Sequence, residues 1–169
     1  MPAGWGWTVP LTSFFKSPSF QDPVLGQLMR TRGQWRGVIA LGGAAPTPLA
    51  LFGPPREPDA AAIAAARQIQ GSMERWRPAI EQALHEHLAP YREAISDEPA
   101  SEQRTTLMSI ERPGQVWAYV SLQSAAIIRM SGGITTELAY AVAWDDDHVL
   151  GARFQSGSLV ELCGSIVTA

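Results

Sequence analysis

Hydrophobic and polar residues alternate in two stretches of the chain and recur at helical spacing in the stretch between them. In the first, Leu25, Gln27 and Met29 fall on one face of a short run that turns at Arg32-Gly33. Trp35, Gly37, Ile39 and Leu41 then alternate with Gln34, Arg36, Val38 and Ala40, the period of a half-buried strand. Leu49 to Phe52 reads as a third short strand, closed by Gly53-Pro54-Pro55. The period then lengthens. Pro58 suits a first helical turn, and Ile63, Ala66, Ile69, Met73 and Trp76 approximate one stripe. Pro78 suits the start of a second helix carrying Ile80, Leu84, Leu88, Tyr91 and Ile95, which Pro90 is expected to kink or end near Leu88. The polar stretch 96–114 has room for one short helix, around Glu102 to Ile110.

Residues 115–165 return to strand patterning. Val116, Ala118, Val120 and Leu122 alternate with Trp117, Tyr119 and Ser121, and Ala126 to Met130 is a further apolar run. After the turn signal Gly132-Gly133, the residues Ile134, Thr136, Leu138, Tyr140, Val142 and Trp144 share one face. Asp145 to Asp147 are read as a connection, Val149 to Phe154 as a strand, Gln155-Ser156-Gly157 as a hairpin loop and Ser158 to Cys163 as its return. The order β-meander, helical hairpin, β-meander predicts an α+β fold, a mainly antiparallel sheet with the helices packed on one face.

Composition narrows this picture. A chain of 169 residues fits a single domain. We assign it to residues 20–169, preceded by an extended aromatic arm over residues 1–19. At 46% hydrophobic and 17% charged the chain is not of the disordered class, and a net charge of -3 lacks the basic surplus of a nucleic-acid binder. The acidity is local, because residues 1–55 sum to +3 and residues 56–113 and 114–169 to -3 each. A single Cys163 excludes an intramolecular disulfide, no apolar run approaches the ~20 residues of a spanning helix, and the first residues lack a secretory pattern. The expectation is a cytoplasmic protein with neither a nucleic-acid nor a membrane partner.

Candidate chemistry is sparse. In His85-Glu86-His87 the two histidines are two apart and so point about 200° apart on a helix, unlike the four-residue spacing of a helical zinc site. Three consecutive carboxylates, Asp145, Asp146 and Asp147, followed by His148, lack the alternating ligands and central glycine of a calcium loop. An acidic hairpin suits a basic partner better. Cys163 lies in an apolar strand, and neither a nucleophile elbow nor a phosphate loop is present. The reading therefore contains no catalytic residue, no metal and no cofactor. The aromatics carry more. Of six tryptophans, Trp35, Trp76 and Trp144 fall on core stripes, whereas Trp117 shares a more polar face with Tyr119. Exposed Trp and Tyr favour binding surfaces. The candidate binding residues are Trp117, Tyr119, Trp144, Asp145, Asp146, Asp147 and His148. Trp5, Trp7, Phe14 and Phe15 of the arm form a candidate interface, with a protein partner or with a second copy in a homodimer.

The phrases Phe20-Gln-Asp-Pro-Val-Leu-Gly26, Trp35-Arg-Gly-Val-Ile39, Trp144-Asp-Asp-Asp-His-Val-Leu-Gly-Ala-Arg-Phe154 and Glu161-Leu-Cys-Gly-Ser165 resemble a small bacterial family of uncharacterised proteins. Its members share a D-P-V-L-G opening, an amphipathic helix pair and a closing W-D-x-x-H-x-L-G-A-x-F hairpin. The resemblance covers most of residues 20–165. It implies the same α+β fold. Because related-looking domains are associated with toxin–immunity gene neighbourhoods, it also implies protein binding, and it brings no catalytic residue with it. The expected function is a non-enzymatic protein-interaction module, immunity-type or regulatory. The alternative is a small-molecule-binding protein or hydrolase using a cleft near Asp145–His148.

Overall fold

A computed structural model of the chain describes residues 17–97 and 99–166. Its eight strands form one sheet in chain order: β1 Ser19–Asp22, β2 Gly26–Thr31, β3 Gln34–Ile39, β4 Thr47–Leu51, β5 Val120–Met130, β6 Gly133–Val142, β7 Asp145–Gln155 and β8 Ser158–Gly164. Neighbouring strands run antiparallel except β4 and β5, which are parallel. A parallel pair needs a long crossover. The chain supplies it with helix α1, Ala60–Ile95, a short helix α2, Glu102–Met108, and a 3-10 turn, Pro113–Ala118.

The expected helical hairpin is corrected to one helix of 36 residues, about 54 Å long at 1.5 Å per residue. Asp59 caps its start by accepting from the Ala61 and Ala62 amides at 2.9 and 3.1 Å. Pro78 and Pro90 both lie inside it and both are exposed. Each removes a backbone donor on the solvent side. The buried stripe Ala66, Ile69, Trp76, Ile80, Leu84 and Leu88 meanwhile runs through Pro78 without losing phase. Burial of that stripe on the sheet outweighs the local break.

Three finer expectations also change. The buried residues of the first run are Leu25 and Leu28, not Gln27 and Met29, because Gly26 adopts a positive φ of 72° and resets the alternation. Residues 116–118 wind into the 3-10 turn behind Pro113 instead of extending. The turn between β6 and β7 is Ala143-Trp144, so Asp145 to Asp147 begin a strand rather than connect two. The candidate interface residues of the arm, Trp5, Trp7, Phe14 and Phe15, lie outside the described residues.

The core fills the space between α1 and one face of the sheet, with Trp35, Leu51, Ile127, Leu138, Tyr140 and Phe154 fully buried there. The first turn is tied to the helix by Asp22. Its Oδ1 accepts from the Val24 and Leu25 amides, both at 2.9 Å, and Arg67 of α1 donates to its Oδ2 at 2.6 Å. The Arg67 hydrogen bond, working against burial, lowers the carboxyl from 3.8 to about 2. A carboxylate with a depressed folded value contributes stability above its unfolded value and loses it as pH falls through the folded one. Urea midpoints measured across this range should therefore drop between pH 3.8 and about 2, and Asp22→Asn should flatten that drop while lowering stability at neutral pH.

The opposite face of the sheet holds a charged network. Arg153 of β7 donates from Nε to Glu137 of β6 at 2.8 Å, from one terminal nitrogen to Glu161 of β8 at 2.7 Å, and from the other to the Gly164 carbonyl at 2.9 Å. Ser165 closes it, its hydroxyl donating to Glu137 Oε1 at 2.6 Å.

Candidate functional site

Asp145, the first residue of β7, organises the best-defined polar cluster on the core side. Its carboxylate accepts from the Tyr91 hydroxyl at 2.7 Å and contacts His148 Nδ1 at 2.8 Å. Tyr91 belongs to the last turns of α1, so this hydrogen bond pins the β6–β7 hairpin to the helix end. One turn earlier, His87 lies 5.5 Å from the Tyr91 ring, centroid to centroid, and accepts at Nδ1 from the Trp144 indole at 3.1 Å. The cluster therefore joins His87 and Tyr91 of α1 to Trp144, Asp145 and His148 of the hairpin. Asp146 and Asp147 stay exposed beside it.

The two histidines are tuned in opposite directions. Burial lowers His87 from its ordinary 6.5, against the pull of Asp145. A neutral ring is also what accepting from the indole requires. The hydrogen bond to Asp145 raises exposed His148 above 6.5. The Tyr91 hydrogen bond, with His148 behind it, holds Asp145 below its ordinary range. His87 thus costs stability as pH falls from 6.5 through its folded value, whereas the contribution of His148 is complete below 6.5 and fades as pH rises through its folded value. Proton NMR titration should place the two on either side of 6.5, and Asp145→Asn should return His148 towards 6.5. Equal values for the two rings would contradict the geometry.

Chemically, Asp145 orients His148 as a carboxylate orients a general base, leaving Nε2 free towards solvent. The hydrogen bond of Asp145 to α1 comes from a phenol, not from a serine, threonine or cysteine nucleophile. A cleft of about 370 Å³ lies beside the cluster, bordered by Ala83, Glu86, His87 and Leu159 to Leu162, and its lining includes none of Asp145 to His148. Among the described residues no group of three or more His, Cys, Asp or Glu is gathered to hold a metal ion, and no helix is long and apolar enough to cross a membrane.

Trp117 sits apart from this cluster, on the 3-10 turn. Its indole donates to Glu81 of α1, the Arg77 guanidinium lies 5.1 Å over its ring, and its ring meets that of Tyr140 in a T-shaped contact with centroids 5.9 Å apart. Glu81 also accepts from Arg77, one turn earlier on the same helix, at 2.8 Å. Tyr119 is half-buried, and its carbonyl accepts from the Ala143 amide at 2.9 Å, which sets the 3-10 turn against the β6–β7 turn. The seven predicted binding residues therefore divide into Trp117 on one side and Trp144 with Asp145 to His148 on the other, with Tyr119 between them. Sequence reasoning missed Tyr91 and Tyr140. Tyr91 stands four residues after His87, a spacing that places both on one helix face. Tyr140 was hidden in an apolar stripe.

A family model described as a domain of unknown function, DUF6985, matches residues 25–166. No curated protein and no solved structure matches the chain.

Proposed function

The chain belongs to the DUF6985 family, and on that premise we propose that it is a non-enzymatic protein-interaction module whose partner presents a basic surface to the β6–β7 hairpin. The observation that carries this reading is the division of labour among the three aspartates. Asp145 is spent internally on Tyr91 and His148, while Asp146 and Asp147 project into solvent from a strand start that Tyr91 holds against α1. Fixed carboxylates lose less entropy on pairing than those on a mobile loop, and their field steers a basic partner at low salt. An immunity-type or regulatory role fits such a surface, in a cytoplasmic setting.

The test is capture from lysate of the native host at low and high salt, with the wild-type chain and with Asp146→Asn/Asp147→Asn. A partner held by the wild type, released by salt and lost with the double variant supports the proposal. No specific partner, or equal capture by both chains, overturns it.

A second reading, a hydrolase or small-molecule binder, draws on the oriented Asp145–His148 pair. Under it, His148→Ala would abolish turnover of a substrate that the wild type converts. Under the interaction reading it would leave capture largely intact.

A further inference from the structure

The cleft between α1 and the β5–β6 end of the sheet encloses about 420 Å³ and lies away from the acidic hairpin. Met73, Ile80 and Leu122 give it apolar walls, Trp117 adds an aromatic one, and Tyr140 lies in its lining. Tyr140 is 1% exposed, and its hydroxyl finds no hydrogen-bond partner among the described residues. Among the described residues the buried indoles, by contrast, all donate: Trp35 to the Pro54 carbonyl, Trp76 to the Gly157 carbonyl and Trp144 to His87. A buried hydroxyl without a partner costs about 1–3 kcal/mol, so an orphan in the wall of a cleft this size is a feature to explain.

We propose that this cleft is a binding site for a small neutral heteroaromatic molecule whose hydrogen-bond acceptor, a carbonyl oxygen or ring nitrogen, takes the Tyr140 hydroxyl proton. The polarity of the site selects this class. Burial holds the Tyr140 phenol well above its ordinary range, so it acts as a donor and calls for an acceptor. The apolar walls and Trp117 suit a flat ring. An anion is disfavoured, because Arg77, the one cation in the lining, is already committed to Glu81 at 2.8 Å and to the Trp117 face, and Glu74 adds a carboxylate. The volume sits at the lower end of small-molecule pockets, which suits one or two fused rings.

The test uses two probes built on the same fused six-membered rings, quinolin-2-one, which carries a carbonyl acceptor, and naphthalene, which carries none. Binding is followed through the Trp117 indole resonance in nitrogen–proton correlation spectra of the full chain. Quinolin-2-one should shift that resonance saturably, and Tyr140→Phe should weaken its affinity about tenfold, the worth of one hydrogen bond, while leaving that of naphthalene unchanged. Tyr140→Phe should also keep the fold, since it removes only the orphan hydroxyl. As a second variant, Met73→Trp, from a half-buried position in the lining, should block both probes in a chain whose thermal midpoint shows it folded. Quinolin-2-one binding that Tyr140→Phe leaves unaltered would overturn the proposal. So would its failure to shift the Trp117 resonance at millimolar concentration.

Discussion

Arg153→Met is expected to cost about 3–5 kcal/mol, the loss typical of removing one partner from a buried ion pair. Arg153 is 5% exposed and Glu137 is 1% exposed, on the face of the sheet away from α1. Burial works to lower the Arg153 guanidinium, but the Glu137 and Glu161 carboxylates outweigh it and hold the group above its ordinary range. Without the arginine, Glu137 keeps, among the described residues, the Ser165 hydroxyl at 2.6 Å and the Ile166 amide at 3.3 Å. The register makes the loss hard to absorb. Glu137 pairs with Arg153 across β6–β7, and Arg153 with Glu161 across β7–β8, so one side chain bridges three strands. Gly151 belongs to the same arrangement, because a Cβ there would stand 2.7 Å from the Glu137 carboxyl carbon. Gly151→Ala should therefore destabilise by about 1–3 kcal/mol through overpacking. Urea unfolding reads both losses. The pair Arg153→Met/Glu137→Leu should recover much of the loss of Arg153→Met, since replacing both charges by apolar groups removes the stranded one. A cost below about 1 kcal/mol for Arg153→Met would show that Glu137 finds water and that the site is not closed.

How far this fold was legible depended on whether local signals agreed with burial. The strands from Ile134 to Val142 and from Val149 to Phe154 stood out because alternation, β-branched residues and glycine turns pointed the same way. The helix was misjudged where they conflicted. Pro78 and Pro90 are genuine local breakers, but the stripe from Ile69 to Leu88 spans the first of them, and only the sheet beneath supplies the energy to continue. The 3-10 turn at Pro113–Ala118 was read as a strand because Val116 and Ala118 mimic alternation over too few residues to separate the periods.

The candidate sites were legible only as far as residues close in sequence stay close in space. Trp144, Asp145 and His148 share a hairpin, and the chain order alone placed them together. Their partners His87 and Tyr91 lie 57 and 54 positions away from Trp144 and Asp145. No local pattern announces such a pairing. Glu137, Arg153 and Glu161 illustrate the same gap. Each falls on the outward side of its strand, which reads as solvated until three adjacent strands align them. Tyr140 shows a further limit, since its apolar stripe is real and only the unpartnered hydroxyl distinguishes it from a core phenylalanine.

Trp76→Ala should cost about 3–5 kcal/mol, the range for deleting a buried aromatic from a core. Trp76 is 6% exposed and lies near the middle of α1. It stacks on Phe154 of β7 with ring centroids 4.2 Å apart and planes 18° apart, and its indole donates to the Gly157 carbonyl at 3.1 Å. One side chain thus fixes the helix to the sheet and to the β7–β8 turn. Gly157 holds a positive φ of 84°, which glycine adopts without strain and which sets its carbonyl in that turn. Trp76→Phe separates the two contributions. It keeps a stacking ring but leaves the Gly157 carbonyl without its donor, and it should cost about 1–2 kcal/mol, within the range for a lost hydrogen bond and some packing volume. Hydrogen exchange locates the effect. Trp76→Ala should speed exchange at the amides of β7 and β8 more than at those of β2 and β3, because Asp22 and Arg67 anchor the other end of the sheet independently. Uniform acceleration across all eight strands would mean that the sheet opens as one unit, and that Trp76 acts on the whole core instead of one edge.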